Sequence, residues 1–206
     1  MRTPILLLSL CCSLFLGGCV GSTTKMHQYA LYPLDVNGQE KLPGKEPLVP
    51  AMILIMPVEL AALLQHPGIL SRPDGTTVTI ARTHAWAAPL DQQLTTVLSQ
   101  NLGALLHSPN IAVYPGPRYA KYDYRIEVNI QDFSMTNNTF NTLANWTISN
   151  SKTQRVVKRS SFALSTELAI PDYPHQVTAG SQAISTLSGQ IADTLIGLQQ
   201  SHTEDD

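Results

Sequence analysis

The chain has 206 residues, 43% of them hydrophobic, with 13 Lys and Arg against 15 Asp and Glu and a formal net charge of −2. That length suits one well-formed core and is short for two. No basic stripe and no clustered Lys/Arg run stands in the sequence, which excludes nucleic acid as the expected partner.

Arg2 and the apolar run from Ile5 to Leu16 read as the charged and hydrophobic regions of a bacterial secretory signal. The run is about half of the roughly 20 apolar residues that a membrane-spanning helix needs. It ends in Leu16-Gly17-Gly18-Cys19, a large apolar residue and two small ones before a cysteine, which resembles the bacterial lipobox. Cys11 and Cys12 lack the small residues. The expectation is a signal peptide over 1–18, lipid attachment at Cys19, a tether over 19–25, one domain over 26–200 and a polar tail over 201–206. An ordinary secretory cleavage site in front of a thiol is the alternative. At about 0.8 kcal/mol per buried methylene, two or more acyl chains anchor a protein stably. Cys11 and Cys12 leave with the signal and the lipid consumes the Cys19 sulfur, so neither an intrachain disulfide nor a cysteine metal site is expected. Val20, and not an aspartate, follows the cysteine. In enteric-type bacteria that points to the outer membrane, with the domain facing the periplasm.

Tyr29 to Tyr32 reads as a first strand, and Pro33 to Pro50, rich in Pro and Gly, as a loop. Ala51 to Val58 is continuously apolar, the pattern of a central strand covered on both faces. Glu59 to Gln65 fits a short helix stopped by Pro67-Gly68. Ile69–Arg72 and Thr76–Ile80 fit a hairpin around Pro73-Asp74-Gly75. Leu90, Leu94, Val97, Leu98, Leu102 and Leu105 line one face of a helix that starts near Pro89, with Asp91, Gln92, Thr95 and Ser99 on its polar side. After a short strand at Ile111–Tyr114, Tyr122, Tyr124, Ile126, Val128 and Ile130 alternate with polar residues, the mark of a long antiparallel strand with one wet face. Phe133 and Met135 fall out of step with Ile130, which predicts a bulge near Gln131 and Asp132. Strands at Asn141–Ser149 and Val156–Leu168 and a helix from Val177 to Gln199 complete the chain. The expected fold is α+β: a mainly antiparallel sheet with two long helices packed on one face.

Several of these residues together look like the PqiC group of ABC-transport auxiliary lipoproteins. They are the lipobox, Tyr29-Ala30-Leu31, the strand Ile53 to Val58, Gly68 to Arg72, and above all Trp86-Ala87-Ala88-Pro89-Leu90 followed by Asn101-Leu102. The similarity continues through Val113-Tyr114-Pro115, the strand to Phe133, Trp146 and the terminal helix. The group's usual motif has an arginine before the tryptophan and an acid before the proline, where this chain has Ala85 and Ala88. The resemblance implies an outer-membrane lipoprotein that serves as a structural adaptor beside a PqiB-like MCE-domain tunnel protein, in a system carrying lipids between membranes. A ring of copies, a homo-oligomer, would match such a tunnel.

Catalytic motifs are missing from the sequence. The six histidines make no H-E-x-x-H, and no G-x-S-x-G, Walker loop or G-x-G-x-x-G is present. No enzyme activity, cofactor or metal is therefore expected. Trp86 is read chiefly as core, bracing the first turn of the helix, and otherwise as an interface residue; together with His84 it is the candidate for partner contact. The competing functional reading is a tethered periplasmic module that binds a lipid or glycan in its own pocket.

Overall fold

The computed structural model describes residues 25–34 and 47–204. The signal, Cys19, most of the tether and the middle of the Pro33–Pro50 loop lie outside the described residues. Nine strands form one sheet: β1 (His27–Tyr29), β2 (Ile53–Ile55), β3 (Glu59–Leu60), β4 (Gly68–Arg72), β5 (Thr79–Trp86), β6 (Ile111–Val113), β7 (Tyr124–Thr136), β8 (Thr139–Asn150) and β9 (Arg155–Glu167). Two helices, α1 (Leu90–Leu105) and α2 (Tyr173–Glu204), pack on each other and on the sheet.

The spine is β7. Along one edge it takes three short strands in succession, all parallel to it: Ile53 opposite Tyr124, Glu59 opposite Asn129, and Ser71 opposite Met135. Along the other edge it pairs antiparallel with β8 from Tyr124–Asn150 to Thr136–Thr139. The α+β class stands as expected, but the sheet is mixed and not mainly antiparallel. The reason lies in the connections. Parallel pairing needs a long crossover, and residues 73–123, with β5 and α1 inside them, supply one between β4 and β7. The central strand is shorter than its apolar run, because Pro57 follows closely and cannot donate to a ladder. Ile53 and Ile55 are nevertheless completely buried between β6 and β7.

Other boundaries moved for local reasons. The first strand runs two residues earlier than expected, where His27 to Tyr29 pair with His84 to Trp86. The segment expected to be a helix from Glu59 is a two-residue strand and then a 3-10 turn at Ala62–Gln65. Its first residues gain more by joining the β7 edge, where Ala61 N–H also donates to the Ile130 carbonyl at 2.9 Å. The Pro73-Asp74-Gly75 turn is present: the Asp74 carboxylate accepts from the Thr76 and Thr77 amides, and Gly75 takes φ +80°. The second hairpin strand continues through residues 81–86 to Trp86. It passes so close to Gly68 that a Cβ there would sit 2.5 Å from the Ala81 carbonyl oxygen.

The long strands follow their alternation. Tyr124, Ile126, Val128 and Ile130 point inward, and the ladder shifts between Ile130 and Asp132, where the phase slip placed the bulge. Ala144, Trp146, Ile148 and Phe162 are buried from β8 and β9. Helix α2 begins four residues before Val177 because Asp172 caps it, accepting from the His175 amide at 2.9 Å, with Pro174 in the first turn where its missing N–H costs nothing. At its other end the helix continues through 201–204, which were expected to be tail.

Candidate functional site

The Trp86-Ala87-Ala88-Pro89 stretch joins β5 to α1, and its backbone is tied down on both sides. Trp86 N–H donates to the Pro67 carbonyl at 2.9 Å, and Ala87 N–H to the Tyr29 carbonyl at 2.8 Å. The Gln93 side chain reaches back to the Ala88 carbonyl at 2.8 Å while its oxygen accepts from Leu31 N–H at 2.9 Å. One glutamine thus holds both the linker into α1 and the segment after β1.

Beside this stretch opens a groove of about 810 Å³. Val58, Leu60, Pro67, Trp86, Pro89 and Leu90 give it apolar walls, and Glu59, His66, Asp91 and Asn129 a polar rim. Trp86 is 8% exposed. Its ring lies 6.2 Å from that of Phe133, which in turn meets Phe140 edge-on at 5.0 Å. The tryptophan therefore belongs to the core cluster and presents a margin to the groove. Ala85 and Ala88 leave the motif without the two charges usual in the PqiC group.

His84 stands two residues before Trp86 in a cluster of rings. It stacks on His27 at 4.9 Å and on Tyr173 of α2 at 3.9 Å, and its Nδ1 shares a hydrogen bond with the Tyr29 hydroxyl at 2.8 Å. Burial, then the neighbouring His27, pushes the His84 imidazole below the usual histidine range. Burial and then Asp172 push the Tyr29 phenol up. Both effects favour a neutral histidine bonded to a protonated tyrosine. The cluster fastens β1 to the sheet and to the first turn of α2. His84 and Trp86 thus lie on one strand but in separate neighbourhoods.

Three polar residues of α1 carry structure that spacing alone concealed. Thr95, expected on the wet side, is buried and accepts from Val58 N–H at 2.9 Å. Asn101 is completely buried; it accepts from Leu34 N–H at 2.8 Å and donates to Ser188 of α2 at 3.2 Å. With Gln93 these residues clip irregular chain to the helix, satisfying amides that no ladder reaches. The available signal was Asn101 itself, a polar residue inside an otherwise leucine-lined face.

The sequence also concealed a concentration of charge. Arg118, Lys121, Lys152, Arg155, Lys158 and Arg159 are all exposed and gather with half-buried Arg125 where β7 and β9 begin and β8 ends. Lys152 pairs with Asp123 at 2.8 Å and Arg125 with Glu127 at 2.6 Å. In the sequence these cations form two separate clusters, 118–125 and 152–159, which folding brings to one end.

The described residues thus form an α+β domain with a groove at the β5–α1 junction. The chain belongs to the family of ABC-type transport auxiliary lipoprotein components, which matches residues 32–192. It is similar to the crystal structure of an uncharacterized protein at TM-score 0.67 and 20% identity, covering 83% of this chain and 99% of that one. It is also similar to protein XCC0632 from Xanthomonas campestris, at TM-score 0.62 and 22% identity, covering 76% and 91%. These two likenesses establish the fold. No curated protein gives a significant sequence match.

Proposed function

We propose that the chain is a non-catalytic adaptor of an intermembrane lipid transport system, anchored to the outer membrane through Cys19 and facing the periplasm. It works beside a PqiB-like MCE-domain tunnel protein as a homo-oligomer. Residues 1–18 are the signal, 19–25 the tether and 26–200 the working domain. The observation that carries this reading is the groove beside Trp86: the motif that most resembles the PqiC group also borders a solvent-open surface, part apolar and part polar, with no nucleophile–base pair in its lining. Trp86 and His84 supply contacts to the partner, Trp86 from the groove margin and His84 from the ring cluster.

The test is crosslinking in intact envelopes followed by recovery of MCE-type proteins, comparing the parent with Cys19→Ala. The parent should fractionate with the outer membrane and capture such a partner, and the variant should fold yet leave the membrane. Retention of Cys19→Ala in the outer membrane with acyl mass refutes the anchor; an uncrosslinked parent refutes the adaptor. The size and apolar walls of the groove also favour a second reading, a tethered lipid- or glycan-binding module. Lipid recovered with the domain in native mass spectrometry would select it.

A further inference from the structure

We infer that the basic end of the sheet is a docking surface for an anionic phospholipid bilayer, a second membrane contact besides the acyl anchor. The inference rests on the proposed Cys19 anchor only for its geometry.

Seven cations gather there against two carboxylates, Asp123 and Glu127, each already paired within the cluster. The whole chain carries a net −2, so this end is strongly positive on a molecule that is otherwise negative. Among its other exposed side chains are several suited to a membrane interface. Tyr119 is 92% exposed, Tyr114 52% and Val156 55%, in the loop before β7 and at the start of β9. The loop and the β8–β9 turn are held together, since Ser151 N–H donates to the Asp123 carbonyl at 2.8 Å. Tyrosine rings sit comfortably at headgroup depth, and cations near a bilayer surface are drawn to its phosphates. An acidic protein surface would account for the cations but not for a nearly fully exposed tyrosine and an exposed Val156 at the same end of the sheet.

The position relative to the tether gives the contact its meaning. β1 runs parallel to β5, β5 antiparallel to β4, and β4 parallel to β7. The chain before His27 therefore leads away from the Tyr124 end of β7. β4 meets β7 at Met135 and Thr136, so β1 lies level with the far half of β7. At about 3.3 Å per residue the two levels are roughly 20 to 30 Å apart. Lys25, where the described chain begins, and the basic end thus lie toward opposite ends of β7, which leaves the basic end clear of the point where the tether joins.

The test is vesicle capture. The lipidated protein is anchored in phosphatidylcholine vesicles, and labelled acceptor vesicles of phosphatidylcholine, with or without phosphatidylglycerol, are offered at low and high salt. Anionic acceptors should be captured at least tenfold more than neutral ones, and high salt should abolish the difference. The triple variant Arg155→Glu, Lys158→Glu, Arg159→Glu leaves the Lys152–Asp123 pair intact and should lose capture at least tenfold with an unchanged melting curve. Tyr119→Ala should lose severalfold. Equal capture of neutral and anionic acceptors, or full capture by the triple variant, overturns the proposal. So does absent capture by protein shown to be anchored; if the triple variant then loses an envelope crosslink, the surface serves an acidic protein. Failure of the protein to enter the first vesicles is a separate result, and refutes the Cys19 anchor alone.

Discussion

Replacing Trp86 by alanine separates its two roles. The indole is 8% exposed and packs at 6.2 Å from Phe133, so its removal empties space next to the Phe133–Phe140 pair. Truncating a buried aromatic costs about 3 to 5 kcal/mol. Because one margin borders the open groove, water can enter part of the space, and the lower end, about 3 kcal/mol, is expected here. For a domain of this size roughly 2 to 4 °C accompanies each kcal/mol, giving a fall in Tm of about 6 to 12 °C. Against a typical total stability of about 5 to 15 kcal/mol the variant still folds. The assay is thermal unfolding followed by near-UV circular dichroism, with partner capture measured on the same preparation well below Tm. A Tm within about 2 °C of the parent, together with lost capture, refutes the core placement and makes Trp86 an interface anchor.

Two glycines of α2 should respond in opposite directions. A Cβ at Gly180 would stand 2.6 Å from Phe133 Cζ and 3.3 Å from Phe140 Cζ, whereas at Gly189 it would meet nothing within 4 Å. Gly189→Ala should gain about 0.5 to 1 kcal/mol from helix propensity alone, while at Gly180→Ala overpacking of about 1 to 3 kcal/mol should outweigh that gain; urea unfolding of both tests the geometry. Asn101→Ala strands the Leu34 amide and removes a donor to Ser188, whose hydroxyl keeps its bond to the Ile184 carbonyl, and should lower stability by about 1 to 3 kcal/mol, seen as a lower urea midpoint. His84 is held neutral by burial and by His27, so its contribution is complete above the ordinary histidine value of about 6.5 and is lost as pH falls through the lower folded value. Tm should therefore decline between pH 7 and 5, and His84→Phe, which keeps a ring in the stack, should flatten that decline. Lys25, His27, Arg82, Asp172 and His175 are the other charged or titratable groups on the neighbouring segments.

Periodicity made the long elements legible. Tyr124 to Ile130 announced both the inward face of β7 and, through the misplaced Phe133, its bulge. What a period of two does not encode is which strand lies alongside. Ile53–Ile55 read as covered on both faces, whereas Ile53 and Ile55 are buried on one face and Leu54 is half-buried on the other, and nothing in those residues says that the neighbour is Tyr124 and that it runs parallel. The same limit hid the site. Thr95 and Asn101 looked like solvent-side and motif residues because their partners, Val58, Leu34 and Ser188, are distant in sequence. His27 and His84 showed no ligand spacing, and the stack they share with Tyr173 exists only once three elements meet. The basic end was partly legible, since Lys152, Arg155, Lys158 and Arg159 fall within eight residues; what the sequence did not show is that the register of β7, β8 and β9 brings Arg125 and the preceding loop to the same end.

The order of pairing along β7 bears on how the chain comes to be folded at all. Ile53, Glu59 and Ser71 find their partners in a strand that begins only at Tyr124, and His27 waits for His84. β1 can pair once β5 is made and β2 once β6 is made, but β3 and the β7-side edges of β2 and β4 stay open until residues 124–136 are available, and such distant pairings form slowly. In a chain that emerges from its N-terminus, the sheet therefore stays incomplete until β7 and β8 are available, and the core closes around them last.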